Sequence, residues 1–203
     1  AEGKKSLPDP PIASIGYQAS IVITPQQEAD MDIKATLNNL LIPYTSNYAG
    51  TLLPGIREYT VTPGEKTTTI SGKGKAGLKQ EENYYFFYLP VCYKGITGKS
   101  YAYYNTSRSK NLYLPASVDE NYSYDIQLPE NLTLCTPIQE KKIDNPIGSF
   151  KITLTSEGSS LHIELALQIK KQLITPAEYP AFRSLITEWT DRTRKPILFK
   201  TVQ

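Results

Sequence analysis

The sequence predicts a mainly β protein, a β-sandwich closed near its C-terminus by one helix at about residues 180–190 that packs on a sheet. Three observations carry this expectation. The 203 residues include 15 Tyr, 15 Pro and 12 Gly against a single Met and a single Trp; Tyr suits pleated, half-exposed surfaces, while Pro and Gly punctuate turns. Several segments alternate apolar and polar side chains with a period of two, the pattern of strands buried on one face. Only one run, close to the C-terminus, switches to helical spacing.

In chain order, residues 1–11 end in SLPDPP and read as an extended polyproline-like linker. The β region is expected over 12–203, either as one body or as two lobes, 12–82 and 83–203. GYQASIVIT, DMDIKATL and REYTVTPGEKTTTISG read as strands, with Pro25, Pro54-Gly55 and Pro63-Gly64 marking breaks. SGKGKAGLKQEE, residues 71–82, is polar and Gly-rich and reads as a loop; it lacks the GxxxxGK[ST] spacing of a phosphate-binding loop. NYYFFYLPV, residues 83–91, puts aromatics on both faces of a strand, and SYAYYNTS follows at 100–107.

NYSYDIQLP, residues 121–129, alternates cleanly: Tyr122, Tyr124, Ile126 and Leu128 face one way, Ser123, Asp125 and Gln127 the other. GSFKITLTSEGSSLHIELALQIKK reads as a hairpin with its turn near Glu157 to Ser159. Phe150, Ile152 and Leu154 line the outgoing strand, and Leu161, Ile163, Leu165, Leu167 and Ile169 the returning one. In TPAEYPAFRSLITEW, Thr175 and Glu178 stand three apart as in a capping box, so a capped turn is expected at 176–179 and the helix from Pro180. Phe182, Leu185, Ile186 and Trp189 form its apolar stripe, Arg192, Arg194 and Lys195 complement its C-terminus, and ILFKTV returns as a strand.

Composition excludes some functions. The net charge is +2, from 22 Lys plus Arg against 20 Asp plus Glu, and the charges are scattered, so no basic face for nucleic acid is expected. The longest apolar runs are a few residues, far below the ~20 of a transmembrane helix, and no signal peptide is visible after the initial AEGKK.

Catalytic chemistry is sparse. One His, His162, and two Cys, Cys92 and Cys135, make a Cys–His nucleophile pair formally available. His162 lies in LHIELALQI on the face opposite the leucines, where an exposed strand residue is expected, and Cys92 follows a Leu-Pro break instead of opening a helix. In an oxidising compartment the two cysteines could close a disulfide worth roughly 4 kcal/mol in the chain-entropy model; bonded and free both stay open. A single His and no CxxC give no metal set, and no cofactor is expected. Glu81 with Glu82 and Asp119 with Glu120 read as solvated charges near turns, not as an acid/base dyad. Sequons stand at Asn105, Asn121 and Asn131. The weak binding candidates are Tyr101, Tyr103 and Tyr104, an aromatic platform for sugar or peptide.

YYFFYLPV, SRSKNLYLP with Arg108, YDIQLPENLTLCTP, the Gly-Ser-led hairpin and the ending TPAEYPAFRSLITEWTDRTRKPILFK occur together and in this order. From about Tyr84 onward the chain resembles the C-terminal domain of unknown function of transglutaminase-like multidomain proteins of Bacteroidetes. The resemblance implies a papain-like transglutaminase domain with a Cys-His-Asp site upstream, whose motifs are not found in this chain, and an exported location in the periplasm or at the cell surface. It implies a non-catalytic accessory or substrate-presenting domain that docks on that upstream domain. The alternative is a freestanding envelope module that binds carbohydrate or peptide through exposed tyrosines.

Overall fold

The computed structural model describes residues 12–38, 53, 55–92, 106–191 and 196–202. The linker at 1–11, the candidates Tyr101, Tyr103 and Tyr104, and the basic residues Arg192, Arg194 and Lys195 lie outside the described residues. What is described is mainly β, arranged in several sheets with one helix near the C-terminus, and no sheet closes into a barrel.

Eight strands make the large sheet: β1 (Ile12–Ile23), β2 (Glu28–Asn38), β3 (Ile56–Pro63), β4 (Thr67–Gly77), β8 (Ser117–Gln127), β10 (Gln139–Asn145), β11 (Gly148–Glu157) and β12 (Ser160–Ile169). Their order is β10-β11-β12-β8-β1-β2-β4-β3. Every pairing is antiparallel except β1 with β8, which run parallel in the register Tyr17↔Tyr122 and Ile21↔Ile126. That single parallel contact joins the two halves of the chain in one sheet. A four-stranded sheet has the order β5 (Lys79–Glu81), β6 (Tyr84–Tyr88), β14 (Pro196–Thr201), β9 (Leu132–Leu134), and a short pair joins β7 (Leu112–Tyr113) to β13 (Leu173–Ile174).

The period of two decides which side is core. On β1, Ile15, Tyr17, Ala19, Ile21 and Ile23 are buried while Ile12 and Val22 are exposed; on β8, Tyr122, Tyr124 and Ile126 are buried, and so is Leu128 directly after it, as the alternation predicts. The β11–β12 hairpin likewise turns in Phe150, Ile152, Leu154, Leu161, Ile163, Leu167 and Ile169, with Leu165 half-buried. Its two-residue loop places Gly158 at φ +58, a first loop position where glycine avoids the Cβ penalty of a positive φ. Tyr85 and Phe87 of β6, Leu132 of β9 and Ile197 and Phe199 of β14 enter the same core cluster, so the small sheet covers the inner face of the large one. Tyr124 ties the layers together by donating its hydroxyl to the Pro90 carbonyl at 2.7 Å.

The helix α1 spans Tyr179–Trp189 and packs on β11 and β12. Its buried stripe is the expected Phe182, Leu185, Ile186 and Trp189, extended backwards by Tyr179. The turn at 176–178 forms, but only half of the capping box does. The Thr175 backbone N–H and hydroxyl both donate to Glu178 Oε2 at 3.0 Å, and the Glu178 N–H goes to the Thr175 carbonyl instead of the hydroxyl. Lys171 also bonds Glu178, and with Thr175 it holds that carboxyl down at about 2.

The expected loop at residues 71–82 is instead strand over most of its length, as the end of β4 and the whole of β5. Glycine reads as a breaker when only local propensity is weighed. Here the backbone of β3 approaches so closely that a Cβ on Gly72 would lie 2.1 Å from the Glu58 carbonyl oxygen, and one on Gly74 2.4 Å from that of Gly55. The glycines permit the β3–β4 pairing, including the register shift between Ile56 and Glu58.

Candidate functional site

Alternation that buries one face of the large sheet leaves polar side chains in rows on the other. Over its centre lie shallow grooves, one of about 410 Å³ bordered by Gln18, Lys34, Asn121, Lys151 and Glu164, and one of about 340 Å³ bordered by Ser20, Asp125, Gln127 and His162. Two cations on this face are matched: Lys151 pairs with Glu164 at 2.7 Å and Lys75 with Asp30 at 3.1 Å.

His162 stands on this outer face, half-exposed, as its strand position predicts. Cross-strand pairing sets it opposite Asp125, and its Nδ1 lies 2.7 Å from Asp125 Oδ1, with Nε2 3.5 Å from Glu164 Oε1. The hydrogen bond to Asp125, helped by Glu164 and opposed by partial desolvation, raises the imidazole above its ordinary 6.5. A histidine held between two carboxylates is an orienting and proton-binding group; among the described residues no thiol or hydroxyl hydrogen-bonds its ring.

The folded pKa is raised, so the stabilisation is complete below 6.5 and is lost as pH rises through the folded value. The expected result is a small fall in Tm between about pH 6 and pH 9 that is flattened in His162→Gln, because the pair is solvent-screened. An unchanged pH profile in the variant would show that the Asp125 contact contributes nothing.

Cys92 lies on the other side of the sheet, fully buried in the core cluster, so the structure does not bring it to His162. Cys135 is half-buried, and no disulfide joins the two cysteines. Around Cys92 sits an aromatic group: Tyr17 and Tyr122 with ring centroids 5.4 Å apart, Tyr17 and Tyr124 at 5.7 Å. Burial raises all three phenols, with Cys92 adding to the rise at Tyr17 and Tyr122. These hydroxyls stay neutral, and the group is core packing with polar tips.

The expectation that Asp119 and Glu120 are both solvated is corrected at Glu120, which is 2% exposed. It falls on the inward side of β8, in step with Tyr122, Tyr124 and Ile126, and accepts the Tyr122 hydroxyl at 3.2 Å. Carrying the alternation of NYSYDIQLP one step backwards would have placed it there. Glu81 and Glu82 are exposed as expected.

Among the described residues the exposed tyrosines are Tyr84, Tyr88 and Tyr113. Two of them are covered by cations, Lys79 Nζ over Tyr88 at 5.1 Å and Lys200 Nζ over Tyr84 at 5.9 Å. A further groove runs between α1 and the chain at Ser107-Arg108; the residues that charge it, Arg108 and Arg183, are 75 positions apart in the sequence. No group of three or more His, Cys, Asp and Glu side chains suited to a metal occurs among the described residues, and none of the described helices is long and apolar enough to cross a membrane.

Comparison with known proteins gives a family match over residues 83–199, more than half of the chain, to a "Domain of Unknown Function with solved-structure structure (DUF3858)". Among solved structures, the chain is similar to a "putative protease" from Parabacteroides distasonis, with 31% sequence identity and a TM-score of 0.54 over 60% of this chain. The match spans 24% of that protein's length. No curated protein matches the chain.

Proposed function

The chain belongs to the DUF3858 family, and from that premise we propose that it is a non-catalytic accessory domain of a longer, exported protein, docking on a transglutaminase-like enzyme domain upstream in the same polypeptide. The observation that carries this reading is one of proportion: the similar region makes up 24% of a longer protein described as a protease. The arrangement of this chain's own groups is in keeping with it. The only imidazole lies between carboxylates on an outer sheet face, and Cys92 is sealed in the core on the other side. A periplasmic or cell-surface location belongs to the same proposal.

The test has a genetic and a biochemical arm. The natural coding sequence directly upstream of Ala1 is expected to contain, in frame, a domain with Cys at a helix start followed by His and Asp. A signal peptide ending directly at Ala1 would overturn the docking proposal in favour of a freestanding module that binds sugar or peptide. In the second arm, the isolated chain mixed with a glutamine-bearing protein and a fluorescent primary amine is expected to give no incorporation above blank. Turnover abolished by Cys92→Ala would overturn the non-catalytic reading.

A further inference from the structure

We propose that the groove between α1 and Ser107-Arg108 is a binding site for the carboxylate side chain of an acidic peptide segment. The groove is about 520 Å³, within the range of ligand-sized clefts. Two guanidinium groups line it. Arg183 lies one helical turn beyond Tyr179, hence on the same side of α1. Arg108 reaches the same place from the other wall, its guanidinium carbon 5.5 Å from the centre of the Tyr179 ring. Stacking on a ring steadies Arg108 without neutralising it.

Charge distinguishes this groove from those on the outer sheet face, which carry both signs: Lys151 and Lys75 are each matched by a carboxylate, Lys34 shares its groove with Glu164, and Arg57 and Lys73 share theirs with Asp30, Asp32 and Glu58. Among the described residues no carboxylate pairs with Arg108 or Arg183. Glu188 borders the groove, but Lys141 Nζ holds its Oε1 at 2.5 Å, so it does not cancel the arginines. Two positive forks therefore face one cleft uncompensated, and a planar carboxylate is the group they fit in bidentate fashion.

The remaining wall favours a peptide over a free anion. Pro176 and Pro180 supply apolar surface and no N–H, so this wall suits the apolar part of a peptide. Ser184 already donates its hydroxyl to the Ala181 carbonyl at 2.8 Å, which leaves its oxygen as an acceptor for a ligand N–H. The site stands whether or not the chain works beside an enzyme domain.

The experiment is a titration of the whole 15N-labelled chain at low salt with acetyl-Gly-Glu-Gly-Glu-Gly-amide, with its Gln counterpart and with inorganic phosphate, read by amide chemical shifts. The Glu peptide is expected to shift amides at 107–108 and 181–188 saturably, and the Gln peptide to leave them unmoved. Arg108→Gln and Arg183→Gln should each weaken binding about tenfold, as the loss of a charged hydrogen-bonding partner implies. Arg183 is exposed, so its variant keeps the test valid if Arg108→Gln perturbs the fold; spectral dispersion reports which has happened. Absence of saturation, or an affinity in both variants unchanged from that of the parent chain, would overturn the site. Phosphate saturating the same amides at lower concentration than the peptide would overturn the carboxylate assignment.

Discussion

Trp189→Ala is expected to lower the unfolding free energy by about 3–5 kcal/mol, the usual cost of deleting a large buried aromatic. Trp189 ends α1, is 7% exposed, and meets Tyr122 at 5.8 Å and Phe150 edge-on at 6.4 Å between centroids. It therefore seats the helix on β8 and β11 together, and its loss opens a cavity that those rings can only partly fill. Against a total of about 5–15 kcal/mol for a typical domain, such a loss is large. Urea denaturation checks it: the midpoint should fall with the slope unchanged. A change below about 1 kcal/mol would show that the helix does not brace the sheet.

Trp189→Phe separates ring from heteroatom. The indole Nε1 is buried and has no hydrogen-bond partner among the described residues. Removing that donor recovers desolvation worth about 1–3 kcal/mol, which offsets part of the lost apolar contact. This variant should remain within about 1 kcal/mol of the parent while the alanine variant does not.

Gly148→Ala is the second large effect, and it acts through the backbone. A Cβ at Gly148 would stand 1.8 Å from the Gln168 carbonyl oxygen and 3.1 Å from Ile169 Cα. Both atoms belong to the partner strand in the Gly148↔Ile169 register, so no side-chain rotation relieves the clash. The strands must part at this end, where the Asn145 side chain also holds the turn by accepting the N–H of Ile147 at 2.9 Å and of Gly148 at 3.3 Å. We expect a loss of about 3 kcal/mol or more, read as a fall in urea midpoint together with faster hydrogen exchange at Ile147 and Lys170. Gly158→Ala is its control: nothing lies within 4 Å of the added Cβ, and only the positive φ is penalised, so the cost should stay near 1 kcal/mol.

The parts legible in the sequence were those encoded by near neighbours along the chain. NYSYDIQLP states which side of β8 is core because a strand repeats every two residues, and all four predicted apolar positions are buried. The β11–β12 hairpin was legible because the inward rows of both its strands and the glycine of its turn stand in one continuous segment. The helix stripe of Phe182, Leu185, Ile186 and Trp189 was legible for the corresponding reason at a period of 3.6.

What only the tertiary structure decided are the relations between distant segments. Gly72 and Gly74 weaken a strand locally, and only the approach of the Glu58 and Gly55 carbonyls makes them a requirement of β4. Glu120 looks solvated beside Asp119 until the phase of β8 turns it inward to Tyr122. The parallel pairing of β1 with β8 has no local signature, because alternation names a strand's buried face and not its neighbour. The same limit hid the groove of Arg108 and Arg183, whose charges meet only when α1 is seated on the hairpin and Tyr179 is brought beneath the Arg108 guanidinium.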